Sequence, residues 1–437
     1  MIMQPALSDN LLEQVLASDN VAAAWKRVKA NGGTAGVDGM SCEKFLRWSY
    51  RHWVSTRESL ENGSYRPQPV LRVEIPKRSG GTRPLGIPTV CDRVIEQAIL
   101  QVLTPIFDPE FSESSFGFRP RRSAHGAIRQ VRALAEAGYR WIVDIDISKF
   151  FDTVDHDILM NRVARQVSDK RVLKLIGRYL RAGVKTKGAV EPTMKGTPQG
   201  GPLSPLLANI YLDILDRELE KRHLNFVRYA DDLLILVKSK AAAWRVMASV
   251  TRFIEKRLKL SVNREKSAVR RIDDTEYLGF LFKGRRKLKL RWADRPFADF
   301  KWNIKRITSR KWRVSMPVRL QKLSRYVRGW MQYYGISQYY SPFQHLDEWI
   351  RRRVRMCYLK QWRYKRTRIA KLIGLGVTPA KAKRFAYIPG NWWYLSKLYA
   401  VNWGMSNTWL NKQGLINVKD LWVKIHYPNT PRLSFAS

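Results

Sequence analysis

Four carboxylates set in two apolar stretches raise the first chemical question. In WIVDIDISKFFDTVDHDIL, Trp141 to Leu159, the strand-like part alternates: Trp141, Val143, Ile145 and Ile147 share one face, while Ile142, Asp144 and Asp146 share the other. In NFVRYADDLLILV, Asn225 to Val237, the adjacent Asp231 and Asp232 separate two apolar runs that read strand, turn, strand. An isolated Asp-Asp pair reads first as a turn, because the Asp side chain bonds local backbone and tolerates left-handed conformations. The apolar flanks, however, put this turn at the end of a buried element. If the two strand regions are neighbours, three or four acids converge. Carboxylates gathered in this way suit hard divalent cations. Two such cations about 3.5–4 Å apart can activate a hydroxyl and stabilise the leaving oxygen of an in-line phosphoryl displacement.

The charge of the chain points to the same chemistry. Its 437 residues carry 80 Lys and Arg against 37 Asp and Glu, a net charge of +43. A polyanionic partner follows, because neutralising phosphates releases condensed counterions and supplies sequence-independent affinity. Nucleic acid fits better than a membrane, since no apolar run approaches the ~20 residues of a span. The opening MIMQPALSDNLLEQ has neither a basic n-region nor an apolar h-region, so no secretory signal is expected and the cytosol or nucleoid is the expected compartment. Cys42, Cys91 and Cys357 are too far apart for a disulfide framework or a Cys-based zinc site.

The elements that must position the acids follow from periodicity. Residues 1–60 read as helical, with LLEQVLASDNVAAAWKRVKA interrupted at NGGTAGVDG, Asn31 to Gly39. PVLRVEIPKRSGGTRPLGIP reads as strand, turn, strand, with Lys77 and Arg83 flanking the turn. Helical patterns return in RVIEQAILQVLTPIF, around Ala124 to Ala137, and from Asp169 to Leu180. From Ala293 the composition shifts to Arg, Lys, Trp and Tyr on a helical period, which places a domain boundary near 292/293. Asp152 and Asp155, where a strand gives way to a helix, read as capping acids.

At this point the residues match a family. RYADD, with DISKFFDTVDHDIL upstream and GTPQGGPLSPLLANIYLDILD between, resembles the reverse transcriptase of bacterial group II introns. The resemblance continues through IPKRSGGTRPLGIPTVCDRVIEQAI, SFGFRPRRSAHGAI, LSVNREKS and EYLGFLF, seven polymerase blocks in order from Ile75 to Phe282. Beyond them, LSRYVRGWMQYYG and LDEWIRRRVRMCYLKQWRYKRTR look like the maturase-specific region, and NGGTAGVDGMS like the extra block before the fingers. The implied fold is α+β, a right-hand polymerase whose palm is an antiparallel sheet, followed by an all-α thumb. The implied domains are an N-terminal extension at 1–60, fingers and palm at 61–292, a thumb or maturase domain at 293–375, and a basic, aromatic extension at 376–437.

The resemblance also implies roles. Asp146, Asp231 and Asp232 become the catalytic metal-binding triad, with the Ile147 carbonyl as a further ligand to two Mg²⁺ ions, for which Mn²⁺ can substitute. Asp144 becomes a strand-edge or basic-partner residue. Phe151 lies beneath the incoming sugar and selects deoxynucleotides, and its neighbour Phe150 belongs to the core. Lys77 and Arg83 reach the triphosphate of a dNTP; Gln199 and Gly200 contact the nascent base pair and template path. Asn263, Lys266, Tyr277 and Gly279 lie along the primer. The partners would be an RNA template with a DNA primer, target DNA, dNTPs and group II intron RNA, whose splicing the protein assists. A free-standing relative recruited to DNA repair, and an RNA-binding splicing factor with secondary polymerase activity, remain open as alternatives.

From Lys301 to Lys371 there are 20 Lys or Arg against two acids, Asp347 and Glu348, interleaved with Trp302, Trp312, Trp330, Trp349 and Trp362. Tyr326, Trp330 and Tyr333 recur at helical spacing and read as core. So dense a charge of one sign repels itself unless it meets an anion, and cations among aromatics suit RNA. Arg325, Arg328, Arg351, Arg352, Arg353, Arg355, Lys360, Arg363, Lys365 and Arg366 are the candidate RNA contacts, on three packed thumb helices. No Cys pairs or His-rich cluster follow, unlike the nuclease module of longer family members, so priming from a pre-existing 3′ end is expected.

Overall fold

The helical period before residue 60 becomes three helices: α1 (Leu11–Leu16), α2 (Ser18–Asn31) and α3 (Cys42–Glu61). The stretch that reads as one helix is thus two, because Ala17 leaves helical geometry at ψ 137° and Ser18 restarts the turn. There follow β1 (Val70–Pro76), β2 (Thr82–Ile87), α4 (Val90–Phe107), α5 (Ala124–Glu136), β3 (Trp141–Ile145), α6 (Phe150–Thr153), α7 (His156–Ala164) and α8 (Lys170–Leu180). Next come β4 (Val184–Thr186), β5 (Ala189–Glu191), α9 (Ser204–Lys221), β6 (Asn225–Tyr229), β7 (Asp232–Val237), α10 (Lys240–Arg257) and β8 (Ala268–Arg271). The computed structural model describes residues 10–76, 81–186 and 189–428.

Helix starts are written in the sequence. Thr89, Ser123, Asp155, Asp169 and Ser239 each accept a backbone N–H in the first turn of the helix they precede, satisfying donors that have no intrahelical partner. Asp155 is therefore the capping acid expected of it. Asp152 is not, because it lies within the single turn of α6.

Two sheets organise residues 1–272. One runs β2-β1-β4-β5, with β1 parallel to β4 and the other pairs antiparallel. The other runs β6-β7-β3-β8 and is antiparallel throughout, as expected of a palm. Its strands bury Ile142, Val143, Ile145, Phe226, Leu233 and Ile235, with α9 and α10 contributing Leu212, Leu215, Val250 and Ile254 to the interior. Leu11, Leu12, Ala24, Val28, Phe45 and Leu60 share that core, so the N-terminal helices are part of this unit and not an appendage to it. β3 is an interior strand, flanked by β7 and β8, which removes the strand-edge reading of Asp144.

The second unit, residues 273–437, begins with a small antiparallel sheet of β9 (Glu276–Tyr277), β10 (Phe280–Lys283) and β11 (Lys289–Trp292). Helices follow: α11 (Asp294–Ile307), α12 (Met316–Tyr334), α13 (Pro342–Gln361), α14 (Lys365–Gly374), α15 (Pro379–Ala386), α16 (Trp392–Leu395), α17 (Tyr399–Gly404), α18 (Asn407–Lys412) and α19 (Val418–His426). Compositional change placed the boundary at 292/293, but it falls at 272/273. Trp292 is 1% exposed at the centre of the second core, against Phe297, Trp330 and Phe343. That core also takes in Val401, Leu410 and Trp422, so 376–428 is continuous with the thumb helices. Trp330 is core, as its spacing implies, stacked on Tyr334 and against Phe300.

Candidate active site

The register of β3 against β7 pairs Asp144 with Leu234 and Ile145 with Leu233. Continued one residue past the end of β3, that register brings Asp146 toward Asp232, whose carboxyl feels its charge. Tyr229 pairs with Asp232 across β6 and β7, so the turn consists of Ala230 and Asp231, and Asp232 is already the first residue of a strand. The three acids singled out by resemblance therefore meet at one end of the sheet. Ile147 bridges Val262, with Ser148 donating to the Ser261 carbonyl and Asn263 to the Asp146 carbonyl. In that pairing the N–H and C=O of Ile147 itself point away from Val262.

The site's electrostatics reflect this crowding. Burial, then the charges of Asp231, Asp144 and Asp146, push the Asp232 carboxyl up to about 6, against the pull of Lys266. Burial likewise raises Asp144 to about 6, opposed by Arg270 and reinforced by Asp146. Arg270 Nη1 lies 3.7 Å from Asp144, which supplies its basic partner. Lys266 Nζ lies 3.6 Å from Asp146. Asn263 shapes the loop that delivers this lysine: its side-chain oxygen accepts from the Glu265 and Lys266 amides. Among the described residues no group of three or more His, Cys, Asp or Glu side chains is drawn together tightly enough to be a ready-made metal cage. The donor set still fits a hard divalent ion, being all oxygen, with like charges that a cation would relieve.

What holds the turn was not visible as a motif. Ala230 has φ +58°, uncommon for a residue with a Cβ. Arg228 secures it from below: its Nη1 donates to the Ala230 carbonyl at 2.9 Å and to Asn209 Oδ1 at 3.0 Å, and its Nε to Asp216 at 2.8 Å. Asn209 in turn donates to the Gly117 carbonyl at 2.8 Å. Gly117 lies so close that a Cβ there would come 2.3 Å from the Ala230 nitrogen. The only sequence signal was the identity of Arg228, a charged residue in an otherwise apolar strand.

A cleft of about 370 Å³ in the same unit is lined by Phe151, Gln199, Lys149, Arg72 and Lys195 among others, with Lys149 and Phe151 three and five residues past Asp146. The loop carrying Gln199 docks on α6: Thr197 donates to the Phe151 carbonyl and Gly196 to that of Val154, each at 2.7 Å. Phe150 is 2% exposed in the core, while Phe151 packs edge-on against it and faces the cleft. Arg83 donates to Gln199 Oε1 at 3.1 Å. Gly200 runs against β2, where a Cβ would come 2.3 Å from the Gly86 carbonyl oxygen. Lys77 lies outside the described residues. Lys149, Arg72 and Lys195 are cations that sequence reasoning passed over. Glu96 was passed over too: this buried carboxyl accepts from the Leu203 amide and touches Gly201, bracing the same loop. Burial and the neighbouring Asp92 raise it to about 8.

Tyr277 and Gly279 belong to the second unit, where Tyr277 is buried and Gly279 stands against the Tyr334 hydroxyl. Of the ten candidate RNA contacts, Arg325, Arg328, Lys360, Arg363, Lys365 and Arg366 are exposed. Arg353 is turned inward, its guanidinium on Thr308 and the Lys305 and Thr308 carbonyls at the end of α11. Arg352 lies over the Trp393 ring and donates to its carbonyl.

An antiparallel sheet presenting three aspartates at one end, with a cationic cleft lined by Phe151 in the same unit, has the make-up of a nucleotide polymerase palm. Residues 75–282 match the reverse transcriptase (RNA-dependent DNA polymerase) family, and residues 297–372 match the group II intron maturase-specific domain. Protein YkfC of Escherichia coli is 34% identical over 296 residues, covering 59% of this chain and 77% of YkfC. The group II intron-encoded protein LtrA of Lactococcus lactis is 35% identical over 267 residues, 59% of this chain but only 42% of LtrA. Nuclear intron maturase 1 of Arabidopsis thaliana is 42% identical over 94 residues, 22% of this chain and 13% of that one. The chain belongs to the reverse transcriptase family, in the group II intron branch that carries a maturase-specific domain.

Proposed function

We propose that this chain copies an RNA template into DNA from a primer 3′ end, and that its second unit binds group II intron RNA to assist splicing and the return of the copy to target DNA. The observation that carries the first half is the approach of Asp146 to Asp232 at the end of the β3–β7 register, where the two charges interact, with Asp231 in the adjoining turn. When bound there, two Mg²⁺ ions would activate the primer hydroxyl and neutralise charge on the departing pyrophosphate. Asp146, Asp231, Asp232 and the Ile147 carbonyl are the groups that would hold them.

The protein's own residues do the positioning. Arg83, Lys149, Arg72 and Lys195 are the cations available to a triphosphate, with Lys77 as a further one. Phe151 forms the floor on which a deoxyribose rests and a 2′-hydroxyl would collide. Gln199 and Gly200 border the template base, and Lys266 and Asn263 approach the primer end. Lys266 also offsets part of the repulsion among the carboxylates. The maturase half of the proposal is supported by the match of residues 297–372 and by the exposed cations of α12, α13 and α14. No helix among the described residues is long and apolar enough to cross a membrane.

Primer extension on an RNA template with Mg²⁺ and dNTPs tests the chemistry. The wild type should extend and Asp231→Asn should not; absence of extension by a folded wild type would sink the polymerase reading. Splicing of the cognate intron by Asp231→Asn should remain near wild type. If splicing collapses while the variant stays folded, the two roles are not separable.

A further inference from the structure

In the second unit, a cavity of about 440 Å³ lies between α13 and the segment from α16 to α18. Glu348, Arg351, Arg352 and Arg355 line it from α13; Ser406 and Asn407 line it from the other side. Arg355 is 7% exposed, yet it has no carboxylate within 4 Å among the described residues. Its Nε donates to the Met405 carbonyl at 3.0 Å and its Nη2 to Asn407 Oδ1 at 3.4 Å, both neutral acceptors. Burial, then the like charge of Arg351, lowers its pKa to about 10. Arg351 makes no hydrogen bond or ion pair among the described residues. The acid whose charge it does feel, Asp347, is already engaged by the Val418 and Lys419 amides. Arg352 is held in place on Trp393.

A buried cation normally has an anion beside it, because removing it from water costs several kcal/mol otherwise. Here three guanidinium groups converge on one cavity, and the one carboxylate on its wall, Glu348, is half exposed and faces His345 at 3.7 Å. The cavity is large enough for a nucleotide unit, and planar guanidinium forks match phosphate oxygens two at a time. We infer that this cavity is a built phosphate pocket that takes one phosphodiester of an RNA strand, gripped by Arg351 and Arg355 with Arg352 at its side. This rests on the proposed RNA-binding role of the second unit and narrows it from a diffuse basic face to one open pocket with a buried guanidinium in its wall.

The test is anisotropy of a short fluorescein-labelled single-stranded RNA, titrated with the full chain at increasing KCl. Arg351→Gln should weaken binding about tenfold, the worth of one charge-assisted bidentate contact, and should make the salt slope shallower by about 0.7, the increment for one phosphate of a single strand. Arg351→Lys keeps the charge but not the fork and should retain most of the loss, whereas Glu348→Gln should tighten binding. Full rescue by Lys would mean diffuse surface charge and would overturn the pocket, as would unchanged affinity in Arg351→Gln. Thermal unfolding in phosphate against chloride of equal ionic strength separates the sources of the anion. If inorganic phosphate stabilises the wild type but not Arg351→Gln, and RNA affinity is the same in both, the cavity serves a free phosphate and the strand assignment is wrong. A wild type that binds no RNA would instead overturn the RNA-binding role itself.

Discussion

Arg228 and Asp216 form an ion pair with side chains no more than 1% exposed, and the same guanidinium reaches the carbonyl of Ala230, the residue before the first aspartate of the turn. The pair joins β6 to α9 and fixes where the acids point. Removing one partner strands a buried charge, at a cost of about 3–5 kcal/mol. Asp216→Asn and Arg228→Met should each lower the unfolding free energy by about that much in chemical denaturation. Pairing Arg228→Met with Asp216→Leu should recover part of the stability, because no lone charge remains, but not primer extension, because Ala230 and Asn209 still lose their donor.

Gly117 tests the same turn from its other side. A methyl group at this position must displace the Ala230 backbone, since it would come within 2.3 Å of its nitrogen. Gly117→Ala should cost about 1–3 kcal/mol, the usual range for overpacking. Primer extension should fall well beyond what that loss explains, with primer-template affinity nearly intact in a gel-shift assay.

Glu96 predicts a pH dependence of stability. Its folded pKa, about 8, lies above the ordinary value of 4.5, so between those limits the folded state binds more protons than the unfolded one. Stability from this group is fully present below the lower value and is lost as pH rises through the upper one. Glu96→Gln keeps an acceptor for the Leu203 amide and removes the titration. The stability difference between variant and wild type should therefore grow in the variant's favour from about pH 5.5 to about pH 7.5, by up to about 1.4 kcal/mol per unit. A difference that stays flat across that range would show that Glu96 does not titrate there.

Phe151 separates sugar selection from chemistry. It lines the cleft beside Lys149 and Gln199, with Phe150 behind it. Phe151→Val removes the ring but keeps an apolar surface, and should raise incorporation of ribonucleotides relative to deoxynucleotides by about 10–200-fold, the scale of one steric contact in a pocket. Competition between dNTP and rNTP in single-nucleotide extension measures that ratio directly.

Much of the site could be read along the chain because its signals are local. Alternation in residues 141–147 announces a strand with two acids on one face, apolar flanks announce a hairpin at Asp231 and Asp232, and the order of the polymerase blocks names the family. Capping at Asp155 is equally local, a matter of one side chain and two amides two and three residues on. The excess of Lys and Arg foretells a polyanionic partner whatever the fold.

Other facts depend on which distant segments meet, and only the tertiary structure decided those. The β3–β7 register, not the spacing, brings Asp146 within reach of the Asp232 charge, while Arg270 on β8 takes up Asp144. Arg228 comes from β6, Asp216 and Asn209 from α9, and Gly117 from the segment before α5, and their bonds form only once those three segments meet. Glu96 meets Leu203 across 107 residues. Trp292 looks in sequence like the end of one domain, but its burial among Phe297, Trp330 and Phe343 makes it the centre of the next. A run of arginines declares its charge in the sequence. Whether each one faces solvent, caps a helix like Arg353, or lies buried on neutral acceptors in a cavity wall like Arg355 is settled by what packs against it.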